Sequence, residues 1–284
     1  MQIAPVTMHP DVAASPKQVQ DRLGPRQLLV RSQFVTLQGE GPSAGLVRFF
    51  VRLGGCNLGP KISFCQGCDT DFRLSESKAL GFDEVFAARA AAIAHLPLQA
   101  QRMVAFVITG GEPSLHGEAL SNFVEEAAHR EIPVEIETNG FDTDTLTRCY
   151  VFDAHIVCSP KASFKGYAEG SIKALLEEVA KVDPGQDPFS MGILDWKFVV
   201  SADVMNAHHT IPLHLFNEHQ RHNHLYVSPC TVYRKAYQGE ISSAWDPNQV
   251  DQKATAANYA YAAHLCLQHG LRFSMQQHTF TSIP

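Results

Sequence analysis

The sequence predicts an α/β protein built around a parallel sheet. Short apolar runs rich in Val, Ile and Phe alternate with stretches of helical spacing, and the unusual polar motifs fall just after the apolar runs. Alternating strand and helix argues for right-handed crossovers around parallel strands, in an open sheet or a barrel. Ligands of such sheets gather at the carboxyl ends of the strands.

The strands are expected in order at Leu46–Gly55, Val104–Thr109, Val134–Thr138, His155–Ser159, Trp196–Val200, Leu225–Ser228 and Arg272–Met275. Helical spacing runs between them over Phe82–His95, Glu118–Arg130, Ser171–Val182 and Gln249–His269. The polar stretch Asp183–Pro188 and the histidine-rich His208–His224 read as surface loops. Residues 1–32, with early prolines at Pro5 and Pro10 and no basic-then-apolar pattern, read as a loosely ordered leader rather than a signal peptide. Residues 33–284 are then the core domain.

With 284 residues, 45% apolar and 18% charged, the composition is that of an ordinary soluble globular protein, and no apolar run approaches a membrane span. A net charge of −6 argues against a broad nucleic-acid or membrane footprint and favours a small-molecule substrate. Seven cysteines without a secretion signal point to reduced thiols in a cytoplasmic setting. Cys149, Cys158, Cys230 and Cys266 lie in or beside apolar segments and read as small buried hydrophobes.

Cys56, Cys65 and Cys68 differ, since they crowd into a short stretch directly after the first strand. Three thiolates suit an iron–sulfur cubane with one iron left open, whereas structural zinc takes four protein ligands, the fourth here being a distant histidine. Spacing alone leaves both readings, and unligated thiols, open.

Gly110-Gly111-Glu112-Pro113 follows the second strand, where paired glycines permit close backbone approach and Pro113 opens the next turn. Glu112 then projects an acceptor toward the ligand face, or merely faces solvent at a tight turn. Gln38 and Glu40 flank a glycine and read either as a clamp for a planar heterocycle or as a polar turn. Asp69 and Thr70 beside the third cysteine offer oxygens to magnesium, or cap a loop.

Together these residues resemble the radical S-adenosylmethionine superfamily, and within it the 7-carboxy-7-deazaguanine synthase family. The likeness rests on Thr36–Gly41, Phe50–Leu58, Cys68-Asp69-Thr70, Thr109–Pro113, Glu137–Gly140, Ser159-Pro160-Lys161, Lys197–Val200 and the closing Gln276, His278 and Ile283-Pro284. The superfamily signature is Cys-x3-Cys-x2-Cys; here eight residues separate Cys56 from Cys65, a place where some members of the family carry an insertion.

The resemblance implies a partial (β/α)6 barrel, a homodimer, and conversion of 6-carboxy-5,6,7,8-tetrahydropterin to 7-carboxy-7-deazaguanine with loss of ammonia, on the way to queuosine and other 7-deazapurines. It implies a [4Fe–4S] cluster on Cys56, Cys65 and Cys68, S-adenosylmethionine held by Glu112, Asn139 and Ser159 with Glu137 and Lys161, and Mg2+ on Thr70. Substrate contacts carried over are Gln38, Glu40, Arg52, His278 and the Pro284 carboxylate. An electron donor such as flavodoxin or ferredoxin is implied, with no direct nucleic-acid or membrane contact. Two other readings share part of the pattern: a glycyl-radical activase, which has the same cysteines and Gly-Gly-Glu-Pro run, and a non-catalytic zinc-binding interaction protein, which would be colourless.

Overall fold

A computed structural model describes residues 14–58, 72–163, 166–167, 169–182, 193–206, 208–232 and 250–277. The elements run α1 (Pro16–Gln20), β1 (Gln27–Leu37), β2 (Val47–Leu53), β3 (Lys78–Gly81), α2 (Phe82–Ile93), α3 (Leu98–Met103), β4 (Phe106–Gly110), α4 (Glu118–His129), β5 (Val134–Thr138) and α5 (Thr143–Val151). They continue as β6 (His155–Cys158), the short pair β7 (Ala162–Ser163) and β8 (Gly166–Tyr167), α6 (Glu169–Val182), β9 (Ile193–Val200), α7 (Glu218–His224), β10 (Leu225–Pro229), α8 (Gln252–His269) and β11 (Arg272–Phe273).

The main sheet has the order β11-β10-β9-β6-β5-β4-β2-β1-β3. From β2 to β11 all neighbours are parallel and their order follows the chain; β1 and β3 add an antiparallel flap at one side. The outermost strands, β3 and β11, do not pair with each other, so the sheet is open. It is also curled. The segment after β1 reaches across to the far end, where Gly41 N donates to Ser274 Oγ at 2.7 Å and Gln277 N donates to Gly39 O at 2.7 Å.

Side-chain alternation gives this sheet two chemically different faces. Phe49, Val51 and Leu53 of β2, Phe106 and Ile108 of β4, Ile136, Ile156, Trp196 and Phe198 are all buried in the apolar core against the helices. Phe106, Phe82, Phe86 and Phe123 lock α2 and α4 onto β4, with ring centroids 5.1 to 5.4 Å apart. Each such pair adds about 0.5–1.5 kcal/mol beyond its buried area. The alternate positions, Arg48 and Arg52 of β2, Glu135 and Glu137 of β5, His155 of β6, Asp195 and Lys197 of β9, are polar and share the concave face.

Several elements depart from expectation. Part of the expected leader is ordered: α1 is capped by Ser15 and Gln18, Val19 is fully buried, and β1 begins at Gln27 with Leu28, Leu29 and Val30 buried. The stretch His208–His224 is not simply a surface loop. Asn217 and Gln220 form a reciprocal cap at 2.8 and 3.0 Å that starts α7, and His208 is buried against Tyr167, its Nδ1 lying 3.1 Å from the hydroxyl. Cys149 and Cys158 are buried as expected, whereas Cys230 and Cys266 are only half-buried. Among the described residues no helix is long and apolar enough to cross a membrane.

Candidate active site

At the end of β2 the chain turns through Gly54 and Gly55 into Cys56, which is 7% exposed and lies 3.9 Å from Asn57 Oδ1 through its sulfur. Gly110 and Gly111, at the end of β4, pass directly against this turn. Gly111 N donates to Leu53 O at 2.9 Å and Glu112 N to Gly55 O at 2.8 Å. A Cβ on Gly111 would stand 1.7 Å from Gly55 O, and Gly110, at φ +106°, would put one 2.4 Å from Leu53 N. Only glycine fits at either position.

Glu112 does not stand out into the concave face. Its carboxylate is 1% exposed and accepts from Ser114 N (3.0 Å), Ser114 Oγ (2.7 Å), Thr138 Oγ1 (2.5 Å) and Asn139 N (2.7 Å). Burial raises its pKa above the usual carboxylate range against the pull of these hydrogen bonds. Glu112 is thus a strut joining the end of β4 to the end of β5. Asn139, held at its backbone by this strut, donates from Nδ2 to Asn57 Oδ1 at 2.8 Å and so ties β5 to the Cys56 turn.

Ser159 follows β6, its N–H bonded to Thr138 O at 2.7 Å, and Lys161 Nζ donates to Ser159 Oγ at 2.9 Å. These carboxyl-edge residues come together as the sequence placed them.

A second group lies on the concave face. Gln38 Nε2 donates to Glu135 Oε1 at 2.9 Å and to Glu137 Oε1 at 3.1 Å. The other oxygen of Glu137 accepts from Thr109 Oγ1 at 2.9 Å. Glu40 pairs with Lys197 at 2.7 Å. Burial alone pulls the Lys197 ammonium down, but Glu40 and Glu137 outweigh it and leave its pKa above the usual lysine range. Arg52 lies over the Phe34 ring, 4.8 Å from its centroid, and Phe34 stacks on Phe50. The guanidinium is thereby held against a stacked aromatic pair.

Below this group, Glu135 accepts from Ser43 Oγ, and Asp195 is shared between His155 Nε2 (2.7 Å) and His224 Nδ1 (2.9 Å). Cys65, Cys68, Asp69, Thr70, His278 and Pro284 lie outside the described residues.

Sequence reasoning missed Thr138, Asn57, Glu135, Asp195 and any role for Lys197. The signal for Asp195 and Lys197 is the alternation Leu-Asp-Trp-Lys-Phe, two ionisable residues at every second place of an otherwise apolar strand.

No family model matches the chain. Among curated proteins, the 7-carboxy-7-deazaguanine synthase of Rickettsia prowazekii (strain Madrid E) is 29% identical over 260 residues, 90% of this chain and 89% of that protein. The chain is thus similar to a 7-carboxy-7-deazaguanine synthase along nearly its whole length. Shorter matches agree: the synthase of Hyperthermus butylicus is 35% identical over 136 residues, 47% of this chain and about half (52%) of that protein. In fold, the chain is similar to the crystal structure of QueE from Escherichia coli, with a TM-score of 0.51 and 19% identity over 93% of this chain and 99% of that one. The partial-barrel architecture is thereby matched along nearly the whole chain.

Proposed function

We infer that this chain is a radical S-adenosylmethionine lyase, a 7-carboxy-7-deazaguanine synthase that converts 6-carboxy-5,6,7,8-tetrahydropterin to 7-carboxy-7-deazaguanine with loss of ammonia. The observation that carries the reading is the similarity to the Rickettsia prowazekii synthase along nine-tenths of both chains. The polar residues gathered at one edge and on the concave face of an open parallel sheet support it.

The described part of the site, Cys56 with Asn57, Asn139, Ser159 and Lys161, supports the cluster and S-adenosylmethionine that this reading needs. The Cys56 thiol follows a turn where the Gly55 and Gly111 backbones approach too closely for a Cβ at Gly111, which fixes the turn that carries the thiol. Cys56, with Cys65 and Cys68, would hold a [4Fe–4S] cluster. Asn139, Ser159 and Lys161 would hold S-adenosylmethionine with Glu137, and Glu112 would serve by fixing Asn139. When bound, the pair supplies a 5′-deoxyadenosyl radical that takes a hydrogen atom from the substrate.

The chain's own side chains bind and orient. Arg52 would offer its planar fork to the pterin carboxylate, and the Phe34–Phe50 stack would shield the ring from water. Gln38 through its amide oxygen and Glu40 through its carboxylate would accept along the heterocycle's edge, with His278 and the Pro284 carboxylate closing the far side. Thr70 would bind Mg2+ through its hydroxyl, Asp69 acting through water. A cytoplasmic homodimer reduced by a flavodoxin or ferredoxin completes the proposal.

The test is an anaerobic incubation of reconstituted protein with S-adenosylmethionine, reductant, Mg2+ and 6-carboxytetrahydropterin, followed by mass analysis. Appearance of 7-carboxy-7-deazaguanine supports the reading. Formation of 5′-deoxyadenosine alone would keep the radical chemistry and reject the substrate.

A further inference from the structure

Lys197 has no part in the binding scheme above, yet it stands at the centre of the carboxylates that scheme uses. It is 6% exposed, and its Nζ lies 2.7 Å from Glu40 Oε1 and 3.9 Å from Glu137 Oε1. The three side chains arrive from separate places: the segment after β1, the end of β5 and the middle of β9. Their meeting is a product of the fold, not of local sequence.

Each member of this group needs the others. A buried ammonium without a partner is costly enough to be lost as the neutral amine, and two carboxylates sharing a small space without a cation cannot both stay ionised. Glu137 is braced on both oxygens, by Thr109 at 2.9 Å on one and Gln38 at 3.1 Å on the other. Glu40 reaches Ser228 Oγ only at 3.4 Å, so its 2.7 Å contact with Lys197 is the shorter hold. A lysine suits the task because its compact ammonium carries three donors on a flexible stem. Within this trio one cation faces two acids, so carboxylate oxygens remain to accept from a ligand edge rich in N–H donors.

We propose that Lys197 is a positioning residue that keeps Glu40 and Glu137 ionised and aims Glu40 at the amino and ring N–H groups of the pterin, without itself reacting. This rests on the substrate reading above.

Calorimetric titration of 6-carboxytetrahydropterin into cluster-free wild-type protein comes first: absence of binding there, together with absence of product from the reconstituted enzyme, counts against the substrate reading and not against the role of Lys197. With wild-type binding in hand, Lys197→Gln is expected to weaken pterin affinity on the order of ten- to a hundredfold. In the reconstituted enzyme KM rises by a similar factor while kcat changes less. Lys197→Arg, which keeps the charge, stays within about tenfold of wild type. Wild-type affinity in a folded Lys197→Gln protein overturns the proposal. If Lys197→Gln does not fold, Lys197→Arg decides: affinity within tenfold of wild type supports the role, and a hundredfold loss in a folded Arg variant shows that charge is not what matters there.

Discussion

Gln38 and Glu135 are 97 residues apart in sequence, and the Gln38 amide donates to the Glu135 carboxylate across 2.9 Å inside the curl of the sheet. The same nitrogen serves Glu137 at 3.1 Å, so a single amide spaces two acids on one strand. Gln38 is 2% exposed and Glu135 equally buried, which means water cannot replace the bond. Gln38→Leu is therefore expected to destabilise the protein by about 1–3 kcal/mol, the usual cost of leaving a buried polar group unsatisfied. Chemical denaturation of the cluster-free protein measures it, and an unchanged midpoint would show that the two carboxylates find other partners.

Gly111→Ala tests the close approach of β4 to β2. The new Cβ would fall 1.7 Å from the Gly55 carbonyl oxygen, and the obstacle is backbone, so no rotamer change can relieve it. The turn carrying Cys56 must move. Loss of stability by about 3 kcal/mol or more is expected, with iron content after reconstitution well below that of wild type. A variant that loads iron fully would mean that the two strand ends can separate without disturbing the thiol.

His116 gives the fold an acid limit. Its ring is 1% exposed, Nε2 accepts from Leu29 N at 3.3 Å, and burial pushes its pKa down to about 4 from 6.5. The unfolded chain therefore takes up this proton first. The stabilisation is complete above pH 6.5 and is lost as the pH falls from there toward 4, by up to about 3 kcal/mol. Urea midpoints measured between pH 4.5 and 8 should decline on the acid side, and His116→Gln should flatten that decline. The same slope in both proteins would place the acid limit elsewhere.

Cys65→Ala tests the cluster ligands directly. The variant is expected to remain folded but colourless and low in iron after reconstitution, since two thiolates do not retain a cubane. Full iron content in that variant would remove Cys65 from the ligand set.

The sequence foretold β5 from Val134 to Thr138 residue for residue, because its apolar positions are bounded by Pro133 and by Asn139-Gly140. It concealed β1, where Arg31, Ser32 and Gln33 interrupt the apolar run and nearby Pro25 suggests a leader. It concealed α5 as well, since Thr143, Thr145 and Thr147 are β-branched and only the Asp142 cap, accepting from Thr145 N at 3.2 Å, announces a helix. The places of Cys56, Asn139 and Ser159 just after strand ends were legible because strand-end position is a sequence property. The inward turn of Glu112 was not, because it depends on Thr138 and Ser114 being there to receive it, a tertiary matter.

The two tethers that carry the segment after β1 across the open sheet, Gly39 to Gln277 and Gly41 to Ser274, enclose Glu40 between them. The opening between the first and last strands therefore behaves as a clasp with a site residue in its catch. Fraying of the strand end beyond β11 would free the backbone on either side of Glu40 and leave its carboxylate to side-chain contacts such as that with Lys197, while the aromatic packing around Phe106 stayed intact, so the protein can loosen its grip on a ligand well before it loses its fold. In this architecture the contact that spans the sheet's opening and the competence of the site depend on the same few atoms.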